Sequence, residues 1–231
     1  MVMQTTNSLM HLLIYLLFFG FSWMCRINGI HRLINDDGVF TRKPKGLISA
    51  HFIGIIWFGL IPVILLKNSV LKVLTSDKMS DSFFVFLFIL IFMIIITFAF
   101  KQSKTAFENK QGSSESFIRL SSEFFISYFI IRALFLFAYE LWFRGFLLFD
   151  SIHWFGIPSA VFINVSLYVL LHIFNGKKEM LACIPFGILV CFFSILFNTA
   201  WPAIILHIGF SLVYEHHFYR FNLINTKTAK S

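Results

Sequence analysis

An acidic and a basic side chain lie four residues apart inside a long apolar run. Glu140 and Arg144 are the only charged residues between positions 134 and 149. On a helix this spacing places both groups on one face, with the acid on the N-terminal side, which is the favourable order. Because each charge costs about 2.5–3.5 kcal/mol to insert into hydrocarbon, the pair is either a structural ion pair between helices or part of a functional site.

Two histidines follow in later apolar segments, and they decide which chemistry is available. His172 closes one segment, and His207 lies within another, with Ser211 one helical turn further on. An acid and two imidazoles that converge in a helix bundle could activate water by general-base action. Two histidines and one glutamate could instead bind a divalent metal such as zinc.

We expect no metal and no other cofactor at these residues. We expect Arg144 to form an ion pair with Glu140, and a divalent cation beside a guanidinium is electrostatically unfavourable. That leaves two imidazoles, one protein ligand fewer than a catalytic zinc normally has. Neither histidine motif contains a cysteine, and the sequence has no glycine-rich phosphate loop.

The elements that must position these residues are membrane helices. The 231 residues are 58% hydrophobic and 13% charged, whereas soluble domains carry about 25% charged residues. The composition predicts an all-α, polytopic transmembrane helix bundle with about seven spans, or eight if residues 145–160 form a short extra helix. The spans are predicted at 9–25, 47–66, 83–100, 120–149, 157–174, 180–197 and 201–214.

The loop charges predict the orientation of this bundle. With seven spans, fourteen Lys/Arg residues lie on one side of the membrane and three on the other, a strong positive-inside bias. We therefore expect a plasma-membrane protein with its N-terminus outside and its C-terminus inside. Topology and anionic inner-leaflet lipid account for the net charge of +8, so no nucleic-acid partner is implied.

The remaining composition signals are simple. Residues 1–8 contain no Lys or Arg, so we expect the first apolar segment to be a retained helix rather than a secretory signal. Cys25, Cys183 and Cys191 lie in or beside apolar runs and are expected to be small buried residues, not a disulfide framework.

Taken in order, the three motifs resemble those of a known family. This is the CPBP/Abi family of intramembrane glutamic proteases, which includes the type II CAAX prenyl endopeptidases. Its motifs are Glu-Glu-x-x-x-Arg, Phe-x-x-x-His and His-x-x-x-Asn, and residues 139–144, 168–172 and 207–211 are similar to them in that order. Gly187 and the pair Trp201-Pro202 also resemble the family pattern. The resemblance implies a motif-free region at 1–119, a protease-like core at 120–215 and a basic cytoplasmic tail at 216–231.

The resemblance implies roles for the site residues. In the family the first Glu and the motif-two His activate water, while the motif-three His and Asn form the oxyanion hole. By position the candidate catalytic residues are Glu140, His172, His207, Ser211 and Tyr139, and Glu140 with Arg144 is a candidate structural ion pair.

Three positions depart from the pattern. Tyr139 replaces the first Glu, Tyr168 replaces the Phe, and Ser211 replaces the Asn. A neutral tyrosine is a poor base. Glu140 cannot simply take over, because it is turned about 100° away from Tyr139 on a helix.

The helix order raises a further geometric condition. Glu140 falls towards the outer end of the fourth predicted span, and His172 towards the inner end of the fifth. We expect them to meet only if the fourth helix starts well inside the cytoplasm and residues 150–158 dip into the membrane.

Three hypotheses of function remain open. The first is a multi-pass endopeptidase that cleaves a membrane-proximal peptide or protein segment. The second is a catalytically lapsed member that binds a peptide or partner protein, as in bacteriocin immunity or as a helper of an active protease. The third is a transporter or channel, which also places ionisable groups at membrane depth, but the sequence contains neither inverted repeats nor paired broken helices.

Overall fold

The described part of the chain contains ten α-helices. The computed structural model describes residues 2–30, 32–34, 40–66, 70–75, 81–110 and 121–228, and side chains from 6 onward except 109, 110 and 222–228. The described part contains no β-strand, which confirms the all-α fold class. The helices are α1 Val2–Ile27, α2 Pro44–Ile55, α3 Ile61–Leu65, α4 Val70–Leu74, α5 Ser82–Lys110, α6 Ser122–Glu140, α7 Leu148–Phe155, α8 Ile157–Leu171, α9 Lys177–Phe197 and α10 Trp201–Thr228.

Six helical segments in the described part are long and apolar enough to cross a membrane, so the protein is a multi-pass integral membrane protein. They are Thr6–Ile27, Pro44–Leu65, Ser82–Glu108, Ser122–Phe155, Ile157–Asn175 and Lys177–Phe197. These segments overlap the first six predicted spans. The seventh predicted span, 201–214, forms the first half of α10, which is not among the six.

Two of these segments contain a π-helix, a wider turn that the sequence did not indicate. In the first, Ile56–Leu60 joins α2 to α3, and the N–H of Ile61 bonds to the carbonyl of Ile56, five residues back. Pro62 follows at once and has no N–H to donate. In the second, Leu141–Leu147 joins α6 to α7. π-Helical turns inside α-helices often occur at functional sites.

The fourth membrane segment is longer than predicted. It continues to Phe155, so the expected span end at 149 is wrong, and residues 150–155 form helix rather than a dip. No residue before Gly156 breaks the helix. Gly156 turns the chain with a φ of +76°, a value that glycine adopts without steric cost, and Pro158 lies in the first turn of α8.

A dense aromatic core surrounds the second π-helix. All seven residues of Leu141–Leu147 are buried, and Phe58 packs against Trp142 with ring centroids 5.1 Å apart. The ring centroid of Phe18 on α1 lies 4.3 Å from that of Phe58 in the first π-helix, so α1 and the two π-helices share one core. Burying large aromatic side chains among one another stabilises such a junction.

The turn between α9 and α10 is tight, as the sequence predicts, and it is fixed to α4. Asn198 adopts a left-handed conformation with a φ of +53°, which asparagine tolerates better than most residues. The N–H of Ala200 and the hydroxyl of Thr199 both donate to the carbonyl of Val73, at 2.8 Å and 3.0 Å. The start of α10, which carries His207, is therefore held in place.

Candidate active site

The carboxylate of Glu140 is the centre of the buried polar network. Glu140 is the last residue of α6 and is completely buried. Nη1 of Arg144 lies 3.3 Å from its Oε1 and 3.1 Å from its Oε2. Nδ1 of His207 lies 2.5 Å from Oε1. The carboxylate thus contacts Arg144 of the π-helix and His207 of α10, and links these two elements.

Arg144 is also completely buried, and its charge is shared between a carboxylate and an aromatic face. Its Cζ lies 4.5 Å from the ring centroid of Tyr168 and 5.3 Å from that of Phe143. Nε and Nη2 have no hydrogen-bond partner among the described residues. A desolvated guanidinium over an aromatic face is attracted by about 2 kcal/mol or more, which partly replaces the missing hydrogen bonds.

His207 lies where three aromatic rings meet. Its ring is 5.9 Å from that of Tyr139, 6.2 Å from that of Tyr168 and 5.5 Å from that of Phe186. Because Nδ1 contacts the Glu140 carboxylate, that nitrogen carries a proton and donates it. In the neutral ring the lone pair is then on Nε2, the nitrogen that remains for other partners.

His172 is fixed by a different kind of acceptor. It follows the last residue of α8, and its Nδ1 donates to the main-chain carbonyl of Tyr168 at 2.9 Å. Its ring lies 4.5 Å from the Tyr168 ring, which also neighbours His207. Both histidines therefore hold Nδ1 in a hydrogen bond and keep Nε2 for another partner.

Helix lengths explain how Glu140 and His172 reach the same depth. Glu140 lies sixteen residues before Gly156, and His172 lies sixteen residues after it. In an antiparallel helix pair, equal distances from the turn place residues at about the same level. The two residues share a level because α7 extends the fourth segment to Phe155, and not through the dip of residues 150–158 that the sequence analysis required.

Tyr139 and Ser211 also lie at this level. The Tyr139 ring is 6.3 Å from that of Tyr168. Its buried hydroxyl has no hydrogen-bond partner in the described part of the chain. Ser211 is buried on α10, one turn after His207.

A cavity of about 820 Å³ lies beside these residues. Tyr139, His172, His207 and Ser211 line it, whereas Glu140 and Arg144 lie behind its wall. Glu140 contacts His207, which lines the cavity. Tyr139 lines the cavity and Glu140 does not, which agrees with the turn of about 100° between successive helix residues.

A second polar cluster lines the same cavity, and the sequence analysis did not identify it. Arg132 Nη1 donates to His51 Nε2 at 3.1 Å, and Arg132 Nε lies 3.6 Å from Oε1 of Glu215. The Tyr128 hydroxyl donates to the same oxygen at 3.1 Å. Arg132 lies inside the predicted span 120–149. A charge at that depth needs a buried partner, so its position could have indicated the cluster.

The described residues include no group of three or more His, Cys, Asp or Glu side chains placed to hold a metal ion. The donor set at the site has the composition expected from the sequence: one carboxylate that a guanidinium already contacts, and two imidazoles. The prediction that no metal takes part stays a prediction.

The comparison with protein families supports the resemblance. Residues 121–213 match the family described as type II CAAX prenyl endopeptidase Rce1-like. The match covers 93 of the 231 residues and includes all three motifs, in agreement with the resemblance that they carry. Neither the curated proteins nor the solved structures gave a match.

Proposed function

We propose that the protein is an intramembrane endopeptidase of the CAAX protease and bacteriocin-processing type, which hydrolyses a membrane-proximal peptide with an activated water molecule. One observation carries this proposal: two histidines from different helices hold Nδ1 in hydrogen bonds beside one cavity, and one of them contacts a buried carboxylate. An imidazole that acts as a general base needs a fixed orientation and one free nitrogen to accept the proton.

The cavity suits a peptide substrate. Its volume of about 820 Å³ lies within the range of ligand sites, about 300–1,000 Å³. Aromatic and aliphatic side chains line much of it, including Phe135, Leu136 and Phe210, and its polar lining includes residues of both clusters described above. An extended peptide with apolar side chains would bury them there and present its backbone to the histidines.

The buried Glu140–Arg144 pair supports a role for the π-helix as a scaffold. Its groups lie behind the cavity wall, where they contact His207 and Tyr168 rather than a substrate. By the family resemblance, His172 would activate or orient water, and His207 with Ser211 would stabilise the oxyanion. The substrate is a peptide or protein segment at the membrane, and no nucleic acid takes part.

We also propose the orientation that the loop charges predict, in the plasma membrane. The N-terminus then lies outside and the C-terminus inside, which requires α10 to complete a seventh crossing. The second polar cluster, with Glu215 on α10, would lie nearer the cytoplasmic end of the cavity than His207.

The test is cleavage by the purified protein. Candidate membrane peptides, including prenylated C-termini and leader peptides, are incubated with the protein in detergent, and products are identified by mass spectrometry. A homologue that carries both family glutamates is the positive control. If the homologue cleaves and this protein cleaves none of the peptides, the protease proposal is rejected.

A further inference from the structure

His207 and His172 differ in the acceptor that their Nδ1 contacts. Nδ1 of His207 contacts a carboxylate oxygen at 2.5 Å, and Nδ1 of His172 contacts a main-chain carbonyl at 2.9 Å. A carboxylate stabilises the positive imidazolium that forms when a base takes up a proton, and it fixes the tautomer that leaves Nε2 as the acceptor. A neutral carbonyl fixes the tautomer but contributes less charge stabilisation. His207 is therefore the better equipped base.

The buried position of Glu140 strengthens this difference. Both Glu140 and Arg144 are fully buried, and charge–charge interactions act more strongly where water is excluded. Arg144 contacts the carboxylate from within the π-helix, and His207 contacts it from α10. The guanidinium compensates the carboxylate when His207 is neutral, so the carboxylate remains ionised and available when His207 takes up a proton.

Tyr139 offers a complementary group. It stands where the family pattern has a glutamate, and it is 4% exposed and lines the cavity. Its hydroxyl has no hydrogen-bond partner among the described residues, and its ring lies perpendicular to that of His207 at 5.9 Å. A buried phenol without a partner can donate a hydrogen bond to an oxygen that becomes negative.

We propose that His207 is the general base of the hydrolysis, that Glu140 positions it, and that Tyr139 donates to the oxyanion. This assignment rests on the proposed protease function and exchanges roles relative to the family pattern. There, the residue at 139 and the motif-two histidine activate water, and the motif-three histidine stabilises the oxyanion.

The reaction balances with water as the only co-reactant. Nε2 of His207 takes one proton from the water, whose oxygen bonds to the peptide carbonyl carbon. The carbonyl electron pair moves to its oxygen, which accepts the hydrogen bond from the Tyr139 hydroxyl. When the carbon–nitrogen bond breaks, the imidazolium returns its proton to the leaving amine. His172, whose Nε2 is also an acceptor, orients the water.

The experiment compares single variants on internally quenched peptides with apolar sequences in detergent micelles. We expect His207→Gln to lower kcat by about 10²–10⁴, the usual contribution of a general base. Tyr139→Phe should lower kcat by about 10²–10³ with little change in KM, as for one oxyanion donor. His172→Gln should lower kcat less than His207→Gln. His216→Gln, on the same helix but exposed and outside the cavity, is the matched control.

Two readouts separate catalysis from folding. Added imidazole should restore part of the activity of His207→Ala, because it replaces the missing base without repairing the helix. For Glu140, Glu140→Asp should retain more activity than Glu140→Gln at comparable melting temperatures, because only a carboxylate stabilises the imidazolium.

The outcomes distinguish this assignment from the function on which it rests. If the wild-type protein cleaves, but His172→Gln is the more damaging variant and Tyr139→Phe is unaffected, the role exchange is wrong and the protease proposal stands. If neither the wild-type protein nor any variant cleaves a peptide that the two-glutamate homologue cleaves, both proposals are rejected.

Discussion

Oε1 of Glu140 and Nδ1 of His207 lie 2.5 Å apart although sixty-seven residues separate them in the sequence. The contact fixes α10 against the end of α6 at the level of the cavity. It also gives the carboxylate a second partner besides Arg144, which contacts it from one turn further along the chain. A buried carboxylate with two hydrogen-bonding partners can remain ionised where an unpaired one could not.

Arg144→Met should destabilise the protein strongly. The methionine approximates the shape of the arginine stem but leaves the Glu140 carboxylate without its cationic partner in a site that excludes water. Breaking a buried ion pair from one side costs about 3–5 kcal/mol. Thermal unfolding in detergent measures the effect. Lys104→Met is the control, because Lys104 and Glu108 form an i,i+4 pair that is exposed, and such pairs contribute little.

The double variant Glu140→Gln, Arg144→Met tests the cause. If the cost of Arg144→Met comes from the uncompensated carboxylate, removing its charge as well should recover part of the stability. An Arg144→Met protein as stable as the wild type would show that the pair does not hold the π-helix.

Asn164→Leu should weaken the π-helix. Nδ2 of Asn164 donates to the carbonyl of Phe143 at 2.6 Å, and the same carbonyl accepts the N–H of Leu148 in the wider turn. Asn164 is fully buried, and its own Oδ1 accepts from the Cys191 thiol at 3.3 Å. Losing a buried hydrogen bond of this kind costs about 1–3 kcal/mol, so we expect a lower melting temperature and reduced cleavage.

Asn164→Asp distinguishes the donor from simple packing. The aspartate has nearly the same shape but offers an acceptor to the Phe143 carbonyl, so it should be at least as destabilising as the leucine. If Asn164→Asp melts like the wild type, the hydrogen bond to Phe143 is not what holds the turn.

The membrane helices were largely predictable from the sequence, whereas the π-helices and the end of the fourth segment were not. Apolar runs and loop charges locate the membrane helices, because lipid demands continuous hydrogen-bonded helix. Hydropathy carries no information on backbone register, so neither π-helix was foreseen. The end of the fourth segment at Phe155 was missed because Asp150 and His153 interrupt the apolar run, and yet nothing before Gly156 breaks the helix.

For the site, the sequence identified the residues but not their partners. The i,i+4 spacing predicted the contact between Glu140 and Arg144, and helical rotation predicted that Tyr139 would face elsewhere. The contact of Glu140 with His207 is tertiary and has no local signal. Arg132 was visible as an intramembrane charge, but its partner Glu215 lies just beyond the predicted end of the last span.

Cysteine labelling should show how many times the chain crosses the membrane. In a variant with Cys25, Cys183 and Cys191 replaced, we expect a single cysteine at Asp81 to react with an impermeant maleimide on intact cells. A cysteine at Lys178 should react only after permeabilisation. Both positions are exposed, and the positive-inside rule places Lys178 in the cytoplasm.

A reporter fused to the C-terminus tests α10 separately. A fluorescent protein that folds only in the cytoplasm should be bright if α10 completes a seventh crossing. With Lys178 inside, a dark reporter would place the C-terminus outside, and six crossings would then replace the predicted seven.

Restoring the family pattern at Tyr139 and Ser211 should not increase cleavage if the protein is an active protease with exchanged roles. Tyr139→Glu removes the hydroxyl donor and places a second carboxylate next to Glu140, so that variant alone should lower kcat. Ser211→Asn supplies a longer donor on α10 beside His207 and should change kcat less. Combined, the two substitutions should give activity at or below the wild-type level. The measurement is cleavage of the same quenched peptides by protein that elutes as a single species. A wild-type protein without activity and a double variant that cleaves would instead identify a lapsed protease, in which the bundle keeps the peptide cavity and has lost the chemistry.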